Sequence, residues 1–73
     1  MAKVGEALKQ VLEDYEISQY RLAAVMGIGR SAINNWVNGR NEPLASTVID
    51  IRDALESMNP AAAEEFIRLY LEK

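Results

Sequence analysis

Between Gly29 and Gly39 the chain carries one arginine, one serine and three asparagines, and their spacing decides what they could do. If the segment is helical, successive residues turn by about 100°. Arg30, Ser31, Asn34, Asn35 and Asn38 then fall on one side, and Ala32, Ile33, Trp36 and Val37 on the other. A helix face that merely meets water usually carries Glu and Lys, which are good helix formers with strong hydration. This face has neither, and asparagine costs helix propensity. Arginine and asparagine do share one chemistry, since both present paired hydrogen-bonding groups that match base edges in the major groove, Arg to guanine and Asn to adenine. Taken alone, the face fits equally a tolerated polar surface with a helix end at Asn38-Gly39.

Charge separates the two readings. Residues 17–40 contain Arg21, Arg30 and Arg40 and no Asp or Glu, so the segment carries +3. The whole chain has 8 basic and 11 acidic residues, a net charge of −3, which leaves −6 outside the segment. A negative total argues mildly against a polyanionic partner. Phosphate neutralisation, however, depends on charge at the contact face rather than on the sum. The segregation therefore points to nucleic acid.

Composition removes most other functions. With no Cys and no His there is no disulfide framework, no usual zinc site, no Cys or His nucleophile and no imidazole base. A carboxylate-only metal site or Ser/Lys chemistry is all that is left, and no nucleophile–base pairing is visible, so neither an enzyme nor a cofactor is expected. At 49% hydrophobic and 26% charged, the 73 residues have ordinary globular composition and room for one domain, residues 1–73. No apolar run approaches the ~18 residues of a membrane span. Charges interrupt Met1 to Glu6, unlike a signal peptide. The expectation is a complete cytoplasmic domain with no membrane partner.

The elements that must position the polar face are helical throughout. Val4, Ala7, Leu8, Val11, Leu12 and Tyr15 form an amphipathic stripe that predicts a first helix over 3–16. Glu13, Asp14 and Glu16 oppose the macrodipole at its end, which is expected to be frayed or solvated. Ser18 reads as the N-cap of a second helix over 19–26, ended by Gly27. A third helix covers 30–38 and stops at Gly39. After a turn at Asn41-Glu42-Pro43, a fourth covers 44–57. Asn59-Pro60, a cap followed by proline at the first helical position, opens a fifth over 60–72. The core is expected to hold Leu8, Leu12, Leu22, Ala23, Ile28, Ile33, Trp36, Val48, Ile51 and Leu55. Two short helices joined by a three-residue glycine-containing link form a helix-turn-helix over about 18–39.

These residues carry a resemblance. Gln19 opens the second helix, Leu22-Ala23 follows one turn in, Gly27 sits at the turn, and Ile33 and Trp36 lie in the third helix. Asn38-Gly39-Arg40 and Pro43 close the segment. The stretch resembles the Cro/C1-type (XRE-family) helix-turn-helix of phage repressors and bacterial regulators. The whole layout is similar to an all-α, five-helix lambda repressor-like DNA-binding domain. The resemblance implies that Arg30, Ser31, Asn34 and Asn35 read base edges. It implies that Gln19 contacts a phosphate and buttresses the first recognition side chain, and that Asn38, Arg40 and Asn41 meet the DNA backbone. Tyr20 and Arg21, at the exposed start of the second helix, are within reach of that backbone too. Two positions depart from the pattern. Arg30 replaces a glutamine of the lambda repressor, which implies a guanine preference, and Arg52 stands where alanine is common. No basic N-terminal arm long enough to wrap a duplex is expected.

The fifth helix spreads its apolar residues over about 200°, against a stripe little wider than ~100° for a one-sided surface helix. Deep packing would account for that width. The alternative expected here is a homodimer contact through Phe66, Ile67, Leu69, Tyr70 and Leu71, as the last helix makes in lambda-type domains. A two-fold dimer places recognition helices roughly 34 Å apart, one DNA turn, and reads a pseudo-palindrome. The functional expectation is a small dimeric repressor, bacterial or phage-encoded and nucleoid-associated, that binds double-stranded DNA sequence-specifically. The competing expectation is a protein-interaction module on the same scaffold, of antitoxin or anti-repressor type. Its partner, or polymerase, would meet the acidic surface of Asp50, Asp53 and Glu56.

Overall fold

The computed structural model describes residues 4–71, which form five helices and no strand among the described residues. In chain order they are α1 (Val4–Asp14), α2 (Gln19–Met26), α3 (Arg30–Val37), α4 (Ala45–Met58) and α5 (Pro60–Leu71). Expected limits are shifted by one or two residues at most, and the outermost, Lys3 and Glu72, lie outside the described residues. Asn38 caps α3 instead of extending it, and Leu44 precedes α4 in extended backbone. No helix among the described residues is long and apolar enough to cross a membrane.

One device ends the first three helices. In each, a residue with positive φ turns the chain so that two successive N–H groups bond back to carbonyls of the last turn. In α2 the residue is Gly27 (φ 72°), with Gly27 N–H donating to Ala24 O at 3.3 Å and Ile28 N–H to Ala23 O at 3.0 Å. In α3 it is Gly39 (φ 74°), with Gly39 N–H to Trp36 O at 3.1 Å and Arg40 N–H to Asn35 O at 2.9 Å. In α1 the same role falls to Glu16 (φ 54°), with Glu16 N–H to Glu13 O at 3.3 Å and Ile17 N–H to Leu12 O at 2.9 Å. Of the two expectations for this end, solvation holds, since Glu13, Asp14 and Glu16 are exposed, and fraying is corrected, since the carbonyls are tied down and the buried Ile17 follows the turn.

A Cβ is strained in that left-handed region, and a carboxylate at a helix C-terminus opposes the macrodipole. Glu16→Gly is therefore expected to stabilise the domain by about 0.5–1 kcal/mol, raising Tm by roughly 2–8 °C. A thermal scan that shows no rise would mean that the turn at Glu16 is not left-handed.

Helix starts use side chains. Ser18 Oγ accepts the Arg21 N–H at 3.0 Å, and Asn59 Oδ1 accepts the Ala61 N–H at 3.1 Å, with Pro60 at the first position of α5. These caps satisfy donors that a helix cannot pair internally.

The core takes side chains from all five helices: Leu8 and Val11, Leu22, Ile33, Ile51 and Leu55, and Phe66 are fully buried. Two expected core residues differ. Ile28 is 36% exposed, because the turn after Gly27 leaves its side chain on the surface, and Trp36 is only partly buried against the core. Phe66, expected on a dimer face, is also corrected. Helix α5 packs against both α1 and α4, and Phe66 is fully buried in the core, out of a partner's reach. Two intramolecular neighbours explain much of the width of the α5 apolar arc. Leu71 is left 64% exposed, with Ile67, Leu69 and Tyr70 half-buried.

Helix α1 approaches α3 at Gly5, which is buried. A Cβ there would overlap the Trp36 carbonyl oxygen and lie 2.9 Å from its carbonyl carbon. The missing side chain thus sets how closely α1 can hold the C-terminal half of α3.

Candidate nucleic-acid interface

Helix α3 is packed through Ile33, fully buried, against the remainder of the domain. With Trp36 and Val37 partly buried beside it, Ile33 dictates what the opposite side shows. Arg30, Ser31, Asn34 and Asn38 are exposed and Asn35 is half-buried at the edge of the same face. Eight residues make a rod about 12 Å long, comparable with the ~12 Å width of a B-DNA major groove.

Helix α2 supplies the flank. Gln19, Tyr20, Arg30, Ser31 and Asn34 line one groove, so the start of α2 lies beside the start of α3. Gln19 also lines a second groove with Lys9, Leu12, Glu13, Val37 and Asn38, in which the Glu13 carboxylate offsets the charge of Lys9. Gln19 therefore stands between the two ends of α3, which suits both a phosphate contact and support for the Arg30 side chain. Tyr20 is 71% exposed at the rim of the first groove. The N-cap of α3, Gly29, offers no side-chain acceptor to the first turn, where Ala32 N–H donates to Gly29 O at 3.2 Å.

Hydrogen bonds organise the polar face itself. Asn38 Nδ2 donates to Asn34 Oδ1 at 3.0 Å, one helical turn apart. Arg40 Nη1 donates to Asn35 Oδ1 at 3.4 Å while the Arg40 N–H holds the Asn35 carbonyl. Arg40 is thus drawn back over the end of α3 by the same turn that Gly39 makes possible. Both asparagine acceptors keep a second lone pair, and the Asn34 and Asn35 amides keep their NH2 donors, the complement that adenine requires.

Tyr20 aside, the structure brings together seven of the nine residues singled out for nucleic acid, on α2, α3 and the turn that follows, and leaves Arg21 and Asn41 apart from them. Gln19, Arg30, Ser31 and Asn34 share a groove, Asn38 and Gln19 share the next, and Asn35 is bonded to Arg40. Arg21 is exposed on α2 and its backbone N–H is taken by Ser18, but it lines neither groove. Asn41 is exposed in the loop before α4, with no contact that ties it to α3. Lys9 was not among the expected residues. Its charge lies on α1, and only the packing of α1 against α3 carries it to Gln19 and Asn38. Helical periodicity within α1 places Lys9 away from the apolar stripe and says nothing of that neighbour.

Arg52, the other departure from the expected pattern, pairs with the carboxylates of Asp53 and Glu56 on the surface of α4 and does not disturb the core. Exposed pairs of this kind add about 0–1 kcal/mol.

A family model described as helix-turn-helix matches residues 8–58, more than two-thirds of the chain. No curated protein and no solved structure matches the chain.

Proposed function

The chain belongs to the Cro/C1-type helix-turn-helix family of DNA-binding regulators, and on that basis we propose that it is a small dimeric repressor reading a pseudo-palindromic operator. In this reading Arg30, Ser31, Asn34 and Asn35 enter the major groove and meet base edges. Gln19, Arg21, Asn38, Arg40 and Asn41 hold the phosphates on either side. One observation carries the reading: the exposed side of α3 is built of Arg, Ser and Asn inside a 24-residue segment without a carboxylate, in a chain whose net charge is negative. The acidic remainder disfavours any other orientation on a polyanion.

The dimer contact is assigned to the outer side of α5, through Ile67, Leu69, Tyr70 and Leu71. Leu71 is the most exposed of these, and Phe66 takes no part because the core already holds it. A contact at this end of the domain leaves α3 free on each subunit.

Fluorescence anisotropy on labelled duplexes across a salt series tests the proposal. The expected result is binding at low salt that weakens with a log–log slope of about −3 to −4, as for a dimer that neutralises roughly four phosphates. Sedimentation of the same complex is expected to give two chains per duplex. Absence of binding to random and pool-selected duplexes at low salt overturns the DNA reading, and one chain per duplex overturns the dimer.

A further inference from the structure

On the flank of α3 away from the polar face, a groove of about 580 Å³ opens between the α2–α3 turn and α4. Its apolar wall is Val25, Met26, Ile28 and Trp36, and its other side carries the carboxylates of Asp50 and Asp53. No lysine or arginine lines it. Val25 is 46% exposed and Ile28 36%, so two aliphatic side chains face water beside the half-buried indole. Asp50 has no ion-pair partner among the described residues, whereas Asp53 is engaged by Arg52.

We propose that this groove docks a short amphipathic helix of another protein, with aliphatic side chains on one side and Lys or Arg on the other. The apolar wall sets the first requirement, because exposed aliphatic residues beside an indole gain most from covering by like groups. The two carboxylates set the second. Asp50 is unpaired and Asp53 shares the single charge of Arg52 with Glu56, so the net negative charge selects a cationic segment and repels an anionic one, in the opposite sense from the polar face of α3. None of its lining residues lines the groove formed by Gln19, Tyr20, Arg30, Ser31 and Asn34. A partner seated here leaves the recognition side of α3 clear, so one chain can hold DNA and a basic protein segment together.

The chain's only tryptophan lies in the groove and reports on it directly. The probes are two synthetic peptides of about 14 residues, four helical turns, one of leucine and lysine at amphipathic spacing and one with glutamate replacing every lysine. With the full chain, the leucine–lysine peptide is expected to change Trp36 fluorescence saturably. In amide NMR spectra it is expected to shift resonances of Val25, Ile28, Trp36, Asp50 and Asp53. The leucine–glutamate peptide is expected to do neither. The double variant Asp50→Asn, Asp53→Asn, at exposed positions that leave the core intact, is expected to weaken binding about tenfold. Equal binding of both peptides, an unchanged affinity in the double variant, or shifts centred on Arg30 and Asn34 or on α5 overturn the proposal. So do concentration-dependent shifts at the groove without peptide, which would assign its occupancy to a second copy of the chain.

Discussion

Gly5→Ala is expected to lower stability by about 3 kcal/mol or more, enough to unfold a large fraction of the molecules, because there is no room for the added methyl group. The direction is opposite to the usual one. At an ordinary helical position alanine gains about 0.5–1 kcal/mol over glycine, since glycine loses more conformational freedom on folding. At Gly5 the new Cβ would overlap the Trp36 carbonyl oxygen, and the Val37 Cα lies 3.4 Å away. These are backbone atoms inside α3, so no side chain can swing aside to make room. Either α1 lifts away from α3 or the last turn of α3 is pushed outward, and both open the core around Leu8 and Ile33. A domain of about 70–80 residues has only about 3–5 kcal/mol to lose. Urea unfolding followed by circular dichroism measures the change. A midpoint equal to or above that of the parent chain would show that α1 and α3 are not in backbone contact.

The contrast between Gly5 and Gly27 shows where the sequence was readable and where it was not. Gly27 and Gly39 each follow an apolar-periodic segment and end it, so their role can be read from neighbours in the chain. Gly5 sits inside the first turn of α1 and owes its role to Trp36, 31 residues on. The limits of α2, and the sidedness of α3, were legible for the same reason as Gly27: Ser18, Gly29 and the spacing of Ile33 are local signals. Glu16 misled because electrostatics alone predicts a loose end at α1. What ties that end is a backbone turn and the apolar Ile17 just beyond it, a pattern usually signalled by glycine. Phe66 misled for a tertiary reason. A wide apolar arc reveals how much surface a helix buries, but not whether its neighbours belong to the same chain, and α5 has two such neighbours in α1 and α4. Lys9 was missed for the converse reason, since its place beside Gln19 and Asn38 depends on how α1 meets α3. Within the candidate interface, what helical period sets was legible, the nearness of Gln19 to Arg30 came only through the family resemblance, and the place of Lys9, set by packing between helices, was not legible.

Arg30→Ala and Arg40→Ala are expected to impair DNA binding in different ways, although both remove one exposed guanidinium. Arg30 begins α3 on the side that would face the base pairs, in the groove shared with Gln19 and Asn34. A guanidinium there can donate two parallel hydrogen bonds to guanine O6 and N7, which no other base pair offers in that geometry. Its removal is expected to relax discrimination at one base position of each half-site by about 1–3 kcal/mol, tenfold or more. Arg40 lies past the end of α3, drawn back toward Asn35, and in the proposed reading it meets a phosphate. Its removal is expected to weaken all duplexes alike and to reduce the salt slope by roughly one for each chain bound. The Arg40 backbone N–H still holds the Asn35 carbonyl in that variant, so the end of α3 keeps its shape. Selection of bound sites from a random DNA pool, followed by anisotropy on the selected and scrambled duplexes, separates the two effects. Intact selectivity in Arg30→Ala, with only a uniform loss of affinity, would place Arg30 on the phosphates and require Asn34 and Asn35 to read the bases without it.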